Sequence, residues 1–139
     1  ILLKMDAYGK CTKLVVDLST VDQCDDQFVK KLACFDQRMF TQMALLAGCD
    51  YISNLPGVGL LTAQKLVLRA RFINADQRIA HICKSRKDVP EGYVEKARKA
   101  EAAFFFARVF DREERTLDHL SPLVIVERNG FPRSKESSA

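Results

Sequence analysis

The hydrophobic and polar positions of the chain predict two short strands followed by a series of amphipathic helices. Residues 1–5 and 13–18 are β-prone runs, and the polar segment 6–11 between them has the composition of a hairpin turn. Farther along, apolar residues recur at three- and four-residue spacing, which is typical of helices with one buried face. This spacing predicts helices over residues 36–47, 60–70, 76–87 and from 90 to about 109.

The apolar side chains of each predicted helix fall on one face, which we expect to be buried. Asp36 suits the N-cap of the first helix, and Gly48 suits the residue just beyond its last turn. Pro90 suits the first turn of the fourth helix, and the helical period is lost after Phe110. The expected buried positions are Phe40, Met43, Ala44 and Ala47, then Ala63, Leu66, Val67 and Ala70, then Ile79, Ile82 and Cys83, and finally Val94, Ala97, Phe105 and either Glu101 or Phe104.

The composition is that of one ordinary globular domain, with 139 residues of which 47% are hydrophobic and 29% are charged. No run approaches the roughly 18 apolar residues that would span a membrane. The five cysteines form no Cys-x-x-Cys pair and there are two histidines, so we expect no zinc site and reduced thiols in an intracellular protein. The opening residues have no initiator Met or signal-peptide pattern, so we expect a fragment of a larger protein with a polar tail at 133–139.

The most informative segment, residues 45–63, joins the first two helices through a glycine-containing turn. Gly57 and Gly59 are expected to take backbone conformations closed to other residues and to let the backbone approach a ligand closely. The amides of Leu61 and Thr62, in the first turn of the next helix, would face an anion. We therefore expect sequence-nonspecific contact with the DNA backbone, with a tight structural turn as the alternative. Apolar anchors of this turn are expected at Ile52, Leu55 and Val58.

Basic residues are concentrated after this turn. Residues 59–115 contain 13 Lys and Arg against 8 Asp and Glu, whereas the flanking segments are close to neutral. Three basic residues at helical spacing could extend a phosphate contact, namely Lys65, Arg69 and Arg71. A second group suits a phosphate or the dipole of the third helix equally well, namely Lys84, Arg86 and Lys87.

Asp50 stands shortly after the first predicted helix. An Asp at such a place is ordinarily a solvated turn former or cap. It also lies close to the glycine turn, which would hold the DNA near the site of cleavage. Hydrolysis by paired Mg²⁺ ions needs several carboxylates there, so Asp50 is a candidate Mg²⁺ ligand. One Asp cannot build such a site, so its partners would lie outside this chain.

The aromatic residues favour structural roles. Phe104, Phe105 and Phe106 could form a base-stacking platform, but a triple Phe on a helix is expected to bury at least one ring in the core. Tyr51 and His81 have no visible partner for chemistry, and we interpret both as structural.

The segment 45–63, with Gly-Cys-Asp-Tyr followed by Gly-Val-Gly, resembles the flap-endonuclease superfamily of structure-specific 5′ nucleases, and in particular its exonuclease branch. Residues 1–6, 89–93 and 109–111 are also similar to that branch, so the resemblance extends over roughly residues 1–125. It implies a mainly α fold with a short β-hairpin, the second half of a mixed α/β, PIN-like nuclease domain. That part would occupy residues 1–132, with a helix-two-turn-helix motif at about 36–70.

The resemblance also implies an activity and its ligands. The parent protein would be a nuclear enzyme of DNA repair or replication that cleaves double-stranded DNA with a 5′ flap, nick or end by means of two Mg²⁺ ions. Asp50 matches the family's last metal-ligating Asp, and the other acids would belong to the missing amino-terminal half of the domain. The family's motif also binds K⁺ through main-chain carbonyls, which by position are those of Ala47, Asn54 and Val58. The implied DNA contacts are Gly57, Gly59, Leu61, Thr62, Lys65 and Arg69.

Three residues depart from the family's pattern and weaken the expected phosphate contact. Asn54 stands in place of a Ser whose hydroxyl helps to hold K⁺, Thr62 stands where a basic residue is common, and Pro56 replaces an Arg before the first glycine. The leading hypothesis remains the DNA-binding part of a 5′ nuclease, inactive by itself. The alternatives are a non-catalytic helix-hairpin-helix module, which would lack an Asp-x-Asp upstream of Ile1, and a protein-interaction scaffold, which would not bind DNA.

Overall fold

The computed structural model describes residues 2–5, 7, 11–14, 23 and 25–121. The chain divides into two compact units, Ile1–Asp36 and Gln37–Ala139. The predictions made for residues 15–18 and for the polar tail 133–139 lie outside the described residues. The boundary predicted at residue 132 also lies there and stays a prediction.

The first unit contains the predicted hairpin. Strands β1 (Leu2–Met5) and β2 (Cys11–Leu14) are antiparallel, and Leu2 lies opposite Leu14. The second strand thus begins two residues earlier than predicted. A short helix follows, α1 (Gln27–Lys30), and a 3₁₀ helix (Lys31–Cys34) continues from it. Asp26 begins α1 as an N-cap because its carboxylate accepts hydrogen bonds from the backbone N–H groups of Phe28 and Val29.

The second unit contains the four predicted helices, namely α2 (Gln37–Ala47), α3 (Leu60–Arg69), α4 (Ala75–Lys84) and α5 (Tyr93–Phe106). Helix α3 packs mainly against α2, and α5 packs against α2 and α4. Their apolar faces meet in one core, which forms because burying apolar surface is the main favourable term in folding. The most deeply buried apolar side chains are Leu45, Leu46, Leu55, Val58, Ala63, Val67 and Ala97.

Two helix boundaries differ from the prediction for local reasons. Helix α4 ends at Lys84 rather than at residue 87, because the Ser85 hydroxyl donates to the carbonyl of Ile82 at 2.7 Å and the chain turns away. Helix α5 begins at Tyr93 rather than near Pro90, because Gly92 has a φ of +69°, a value that no right-handed helix contains.

The end of α5 and the segment after it also correct the prediction. The helix ends at Phe106, and residues predicted to extend it form a strand, β3 (Arg108–Asp111), which pairs antiparallel with β4 (Thr116–His119). The Asp111 carboxylate accepts hydrogen bonds from the backbone N–H groups of Glu113 and Glu114, which closes the turn between the strands. This second hairpin was not predicted.

The buried face of α2 differs from the predicted one. Met43 is buried as predicted, but Phe40 is 42% exposed, and Ala44 and Ala47 are only partly buried. The face that enters the core instead contains Met39, Gln42, Met43, Leu45 and Leu46. The helix is rotated toward Gln42 because a fully buried amide must find hydrogen-bond partners, and those partners lie on α4 and α5.

A buried polar network surrounds Gln42. Its amide nitrogen donates to the Glu101 carboxylate at 3.0 Å, and its oxygen accepts from Arg78 Nη1 at 2.8 Å. Glu101 also accepts from Arg38 Nε at 3.0 Å, and Arg38 pairs with Asp76 at 2.7 Å. Burial raises the pKa of the Glu101 carboxyl above its usual value, although the hydrogen bond from Arg38 acts in the opposite direction. The network therefore joins α2, α4 and α5 through groups that the core would otherwise exclude.

The remaining structural predictions have mixed outcomes. Glu101 is buried and Phe104 is 38% exposed, so the first of the two alternatives for the inner face of α5 holds. None of the three consecutive Phe rings of α5 is fully buried, so the prediction of a core ring is wrong. Cys34, Cys49 and Cys83 are free thiols in this structure, whereas the side chains of Cys11 and Cys24 fall outside the described part, so the reduced state of the five cysteines stays a prediction. Among the described residues, no helix combines the length and the apolar character needed to cross a membrane.

Candidate nucleic-acid interface

The segment between α2 and α3 contains two tight turns, of which the first directly follows α2. Gly48 ends α2 with a φ of +95°, and a Cβ there would lie 2.9 Å from the backbone nitrogen of Asn54, so only glycine fits. The backbone groups of Cys49 and Ile52 then exchange two hydrogen bonds, of 2.9 and 3.3 Å. Asp50 and Tyr51 therefore form the tip of a closed two-residue turn.

This turn is exposed, and an aromatic contact connects it to α5. The Tyr51 ring meets the Phe104 ring edge to face, with 5.2 Å between their centroids. This packing contact with Phe104 agrees with the structural role that was predicted for Tyr51. Asp50 itself is exposed.

A second turn leads into α3. Pro56 and Gly57 are its central residues, Gly57 has a φ of +70°, and the Val58 N–H donates to the Leu55 carbonyl at 2.9 Å. A central Pro followed by a residue with positive φ is the pattern of a type II turn. The predicted apolar anchors Ile52, Leu55 and Val58 are all buried, which confirms their assignment.

Arg86, which lies just beyond α4, contacts this second turn from 30 residues away. Its Nη2 donates to the Pro56 carbonyl at 2.8 Å, and it lies 3.6 Å from the position that a Cβ on Gly57 would occupy. A guanidinium has five N–H donors, and this bond uses one of them. The contact of Arg86 with the Pro56 carbonyl is a third role, which neither interpretation of the basic group 84–87, a phosphate contact or the dipole of α4, included.

Helix α3 presents its first turn to solvent. Its N-cap is Gly59, which has no side chain to bond the first-turn amides, and no acidic residue is present there. Leu60 and Leu61 are 50% and 62% exposed, and Thr62 is exposed as well. Unbonded amides and the positive end of the helix dipole attract anions. Two exposed basic residues follow along the same face of the helix, namely Lys65 and Arg69.

The two glycines of the turn do different things, which corrects the prediction. Gly57 has the positive φ that was expected of both, but Gly59 has φ −97° and ψ −177°, an extended conformation that any residue adopts. Apart from Gly59 and its neighbours in the chain, no heavy atom lies within 4 Å of a Cβ built on this residue, so its surroundings are open. Gly57 is therefore required by the turn, whereas only an external ligand could require Gly59.

We predict that Gly57→Val and Gly59→Val separate these two roles. In Gly57→Val the new side chain must accept a positive φ, so the free energy of unfolding should fall by about 1–2 kcal/mol or more. Gly59→Val loses only the N-cap preference, which costs below about 1 kcal/mol. Its side chain would stand where a DNA backbone approaches, so duplex affinity should fall about tenfold, or about 1.4 kcal/mol. Urea unfolding and fluorescence anisotropy measure the two effects. Unchanged affinity in Gly59→Val would place the phosphate contact elsewhere.

The donor groups for metal ions are fewer than a nuclease centre needs. Within the described residues, no group of three or more His, Cys, Asp or Glu side chains is placed to hold a metal ion. Asp50 is thus a single exposed carboxylate, as expected for one ligand of a larger set or for a turn former. The residues described here do not by themselves form a site for two Mg²⁺ ions.

The three carbonyl groups assigned to K⁺ by resemblance lie along the same segment. Ala47 ends α2, whereas Asn54 and Val58 flank the second turn. The Val58 carbonyl already accepts a hydrogen bond from the Asn54 side chain at 3.3 Å. The sequence indicated a role for the Asn54 main-chain carbonyl but not this hydrogen bond from its side chain. A side-chain hydrogen bond to a carbonyl four residues away depends on the shape of the turn, which the sequence does not show.

Comparison with curated proteins gives a consistent result. Exonuclease 1 of Xenopus laevis is 36% identical over 126 residues, covering 88% of this chain and 16% of the relative. Exonuclease 1 of Oryza sativa subsp. japonica is 33% identical over 121 residues, covering 87% and 14%, respectively. Exodeoxyribonuclease 1 of Saccharomyces cerevisiae is 33% identical over 116 residues, covering 79% and 15%. No protein-family profile matches the chain.

The chain is therefore related to the 5′ nuclease family that includes exonuclease 1 and the flap endonucleases. This confirms the resemblance inferred from residues 45–63. The three relatives described above carry the names exonuclease 1 and exodeoxyribonuclease 1, so the chain resembles that branch in particular. It spans only 14–16% of the lengths of these relatives.

Proposed function

We propose that this chain is the DNA-binding portion, with part of the metal site, of a structure-specific 5′ exonuclease or flap endonuclease. The observation that carries the proposal is the exposed first turn of α3, which has no capping side chain and directly follows the Gly57 turn. Its amides suit a phosphate, and Lys65 and Arg69 add positive charge along the same helix. The helix-two-turn-helix motif would thus hold the DNA backbone without reading the bases.

The names of the relatives support a DNA substrate. An exodeoxyribonuclease, as the yeast relative is named, removes nucleotides from a DNA end. We propose that the parent of this chain acts in the same way on duplex DNA with a 5′ flap, nick or end, in the nucleus, during repair or replication. Within that enzyme, this chain would hold the duplex next to the site of cleavage.

Asp50 is proposed as one Mg²⁺ ligand of that site. It lies at the exposed tip of the turn between α2 and the Gly57 turn, so it would reach a metal centre beside the bound duplex. The remaining carboxylates would come from the amino-terminal half of the nuclease domain. Two Mg²⁺ ions, when bound, supply an activated water and neutralise charge on the scissile phosphate. Because the chain contributes one ligand, we expect no cleavage by the 139 residues alone.

The first test is the salt dependence of duplex binding by the 139-residue chain. Roughly two to four phosphate contacts should make log affinity fall against log salt with a slope of about −2 to −4, because each contact releases counterions. Fluorescence anisotropy with duplexes of equal length and different sequence measures both the slope and the sequence preference. Binding that is independent of salt, or that varies more than about tenfold with sequence, would exclude a backbone contact.

A charge-matched pair of variants sharpens this test. Replacing Lys65 and Arg69 together by Gln should reduce the magnitude of the slope by about two, since two contacts are lost. Replacing Lys96 and Lys99 of α5 by Gln removes the same charge from exposed positions on another helix. If the second pair changes the slope as much as the first, net charge rather than the α3 face determines binding.

A non-catalytic helix-hairpin-helix module is the second candidate. Such a module needs no metal site and would bind the duplex through the same exposed first turn of α3. Both candidates predict the same DNA contact, so binding alone does not separate them. The role of Asp50 in cleavage by the intact protein does.

A further inference from the structure

The side chain of Asn54 forms two hydrogen bonds that bridge the second turn. Its Nδ2 donates to the Leu55 carbonyl at 3.2 Å and to the Val58 carbonyl at 3.3 Å. A side-chain amide nitrogen has two N–H donors and no lone pair for a metal. Both donors are therefore directed at main-chain oxygens of the segment that leads into α3.

The Asn54 backbone is held firmly in this position. The Leu55 N–H donates to the Leu46 carbonyl at 3.0 Å, which joins the segment to the last turn of α2. Gly48 lies so close to Asn54 that a Cβ on Gly48 would contact its nitrogen at 2.9 Å. Because the main chain is held on both sides, the amide reaches the two carbonyls from a defined direction.

This arrangement does not fit the K⁺ ion that the family implies at the carbonyls of Ala47, Asn54 and Val58, because the amide contacts one of them, that of Val58. Hard cations bind to oxygen ligands, and the Val58 oxygen already faces a positively polarised N–H group. The opposite orientation of the amide would place Oδ1 against two carbonyl oxygens, an arrangement that only a bound cation would stabilise. The two orientations therefore differ in whether the turn depends on a cation.

We propose that the Asn54 carboxamide replaces a bound monovalent cation in this chain, so that the turn before α3 and the duplex contact are independent of K⁺. The part of this inference that concerns DNA rests on the proposed function. The amide links Leu55 and Val58 through its two N–H groups, as a cation would link carbonyl oxygens. The turn is then closed by the chain's own side chain in any salt.

Thermal unfolding in exchanged salts tests the inference without DNA. The chain is unfolded at constant total chloride, with tetramethylammonium replaced stepwise by up to about 100 mM K⁺, since an ion that binds only the folded state raises the Tm. Tetramethylammonium is too large to enter a carbonyl site. We expect a Tm that changes by less than about 1 °C across the series. A saturable rise of more than about 3 °C would show K⁺ binding and overturn the inference.

Two variants test the amide itself. Asn54→Ala should lower the Tm by about 3–6 °C at every K⁺ concentration, because two hydrogen bonds are lost. Ser53→Ala removes a polar side chain from the neighbouring exposed position and should leave the Tm within about 1 °C. An Asn54→Ala variant as stable as the Ser53→Ala control would overturn the inference.

Duplex binding in the same salt series completes the experiment. The Kd of the unaltered chain should agree within about twofold between the K⁺ and tetramethylammonium solutions at equal ionic strength, because the electrostatic term is matched. Affinity more than about fivefold tighter in K⁺ would contradict the inference. An absence of duplex binding in every solution would overturn the proposed function, while the Tm series would still decide whether Asn54 replaces the cation.

Discussion

Asp50→Asn should lower the cleavage rate of the intact enzyme that contains this chain about a thousandfold. The substitution keeps the shape of the side chain but removes a negative charge from a hard-cation ligand set. Transition-state stabilisation by metal ions is worth several kcal/mol, and a loss of about 4 kcal/mol corresponds to a thousandfold at about 1.36 kcal/mol per factor of ten. Single-turnover cleavage of a 5′-flap duplex at saturating Mg²⁺ measures the effect.

DNA affinity provides the internal control for this variant. Asp50→Asn should bind the duplex as tightly as the unaltered protein, or slightly more tightly, because an anion near the phosphate backbone is removed. The same substitution at the exposed Asp88 should leave the rate unchanged. If Asp50→Asn loses less than about fivefold in rate, about 1 kcal/mol, Asp50 is a turn residue and the non-catalytic module becomes the leading candidate.

Arg78→Met should lower the free energy of unfolding by about 3–5 kcal/mol. Arg78 is 3% exposed, and besides the Gln42 amide its guanidinium donates to the carbonyls of Ala70 and Ile73 just beyond α3. A Met of similar length fills the space but leaves the oxygens of Gln42 and Ile73 without this donor, whereas the Ala70 oxygen still accepts the backbone N–H of Ile73. Each group that water cannot reach costs about 1–3 kcal/mol. Urea unfolding of the chain measures the change as a lower midpoint at constant slope.

An exposed arginine on the preceding helix provides the matched control. Arg69→Met makes the same chemical change where the side chain is in water, so the free energy of unfolding should change by less than about 0.5 kcal/mol. A loss below about 1 kcal/mol in Arg78→Met would show that solvent or a rearranged Gln42 satisfies the freed carbonyls. The network would then not be what joins α4 to the end of α3.

The helices and turns between residues 37 and 106 could be predicted from the sequence because their signals are local. Apolar spacing located all four helices, since a period of about 3.6 residues is a property of consecutive residues. The residue after α2 was identified as Gly48, because a left-handed conformation at a helix end favours glycine wherever the rest of the chain lies. The buried anchors Ile52, Leu55 and Val58 were also predicted correctly from their spacing around the turn.

The same reasoning failed where a choice depended on distant residues. The apolar spacing on α2 predicted that Phe40 is buried, whereas the structure buries Gln42. Gln42 can be buried because its amide donates to Glu101, a residue 59 positions away in the chain. The β3–β4 hairpin was missed for a related reason. A strand is stabilised by its partner strand, so a segment of four residues such as Arg108–Asp111 carries little signal alone.

In the candidate site, too, some features follow from the local sequence and others only from the tertiary structure. The sequence alone determined the order of its parts, namely an acidic residue at Asp50, a turn with glycine at 57 and a helix with basic residues at 65 and 69, because each is a local choice of residue type. Only the tertiary structure decided that Gly59 is conformationally ordinary, that Arg86 contacts Pro56, and that the Asn54 amide donates to the Val58 carbonyl, one of those expected to bind a cation. The first depends on backbone dihedral angles and the other two on distances between atoms that only the folded turn brings together, and a sequence pattern contains neither.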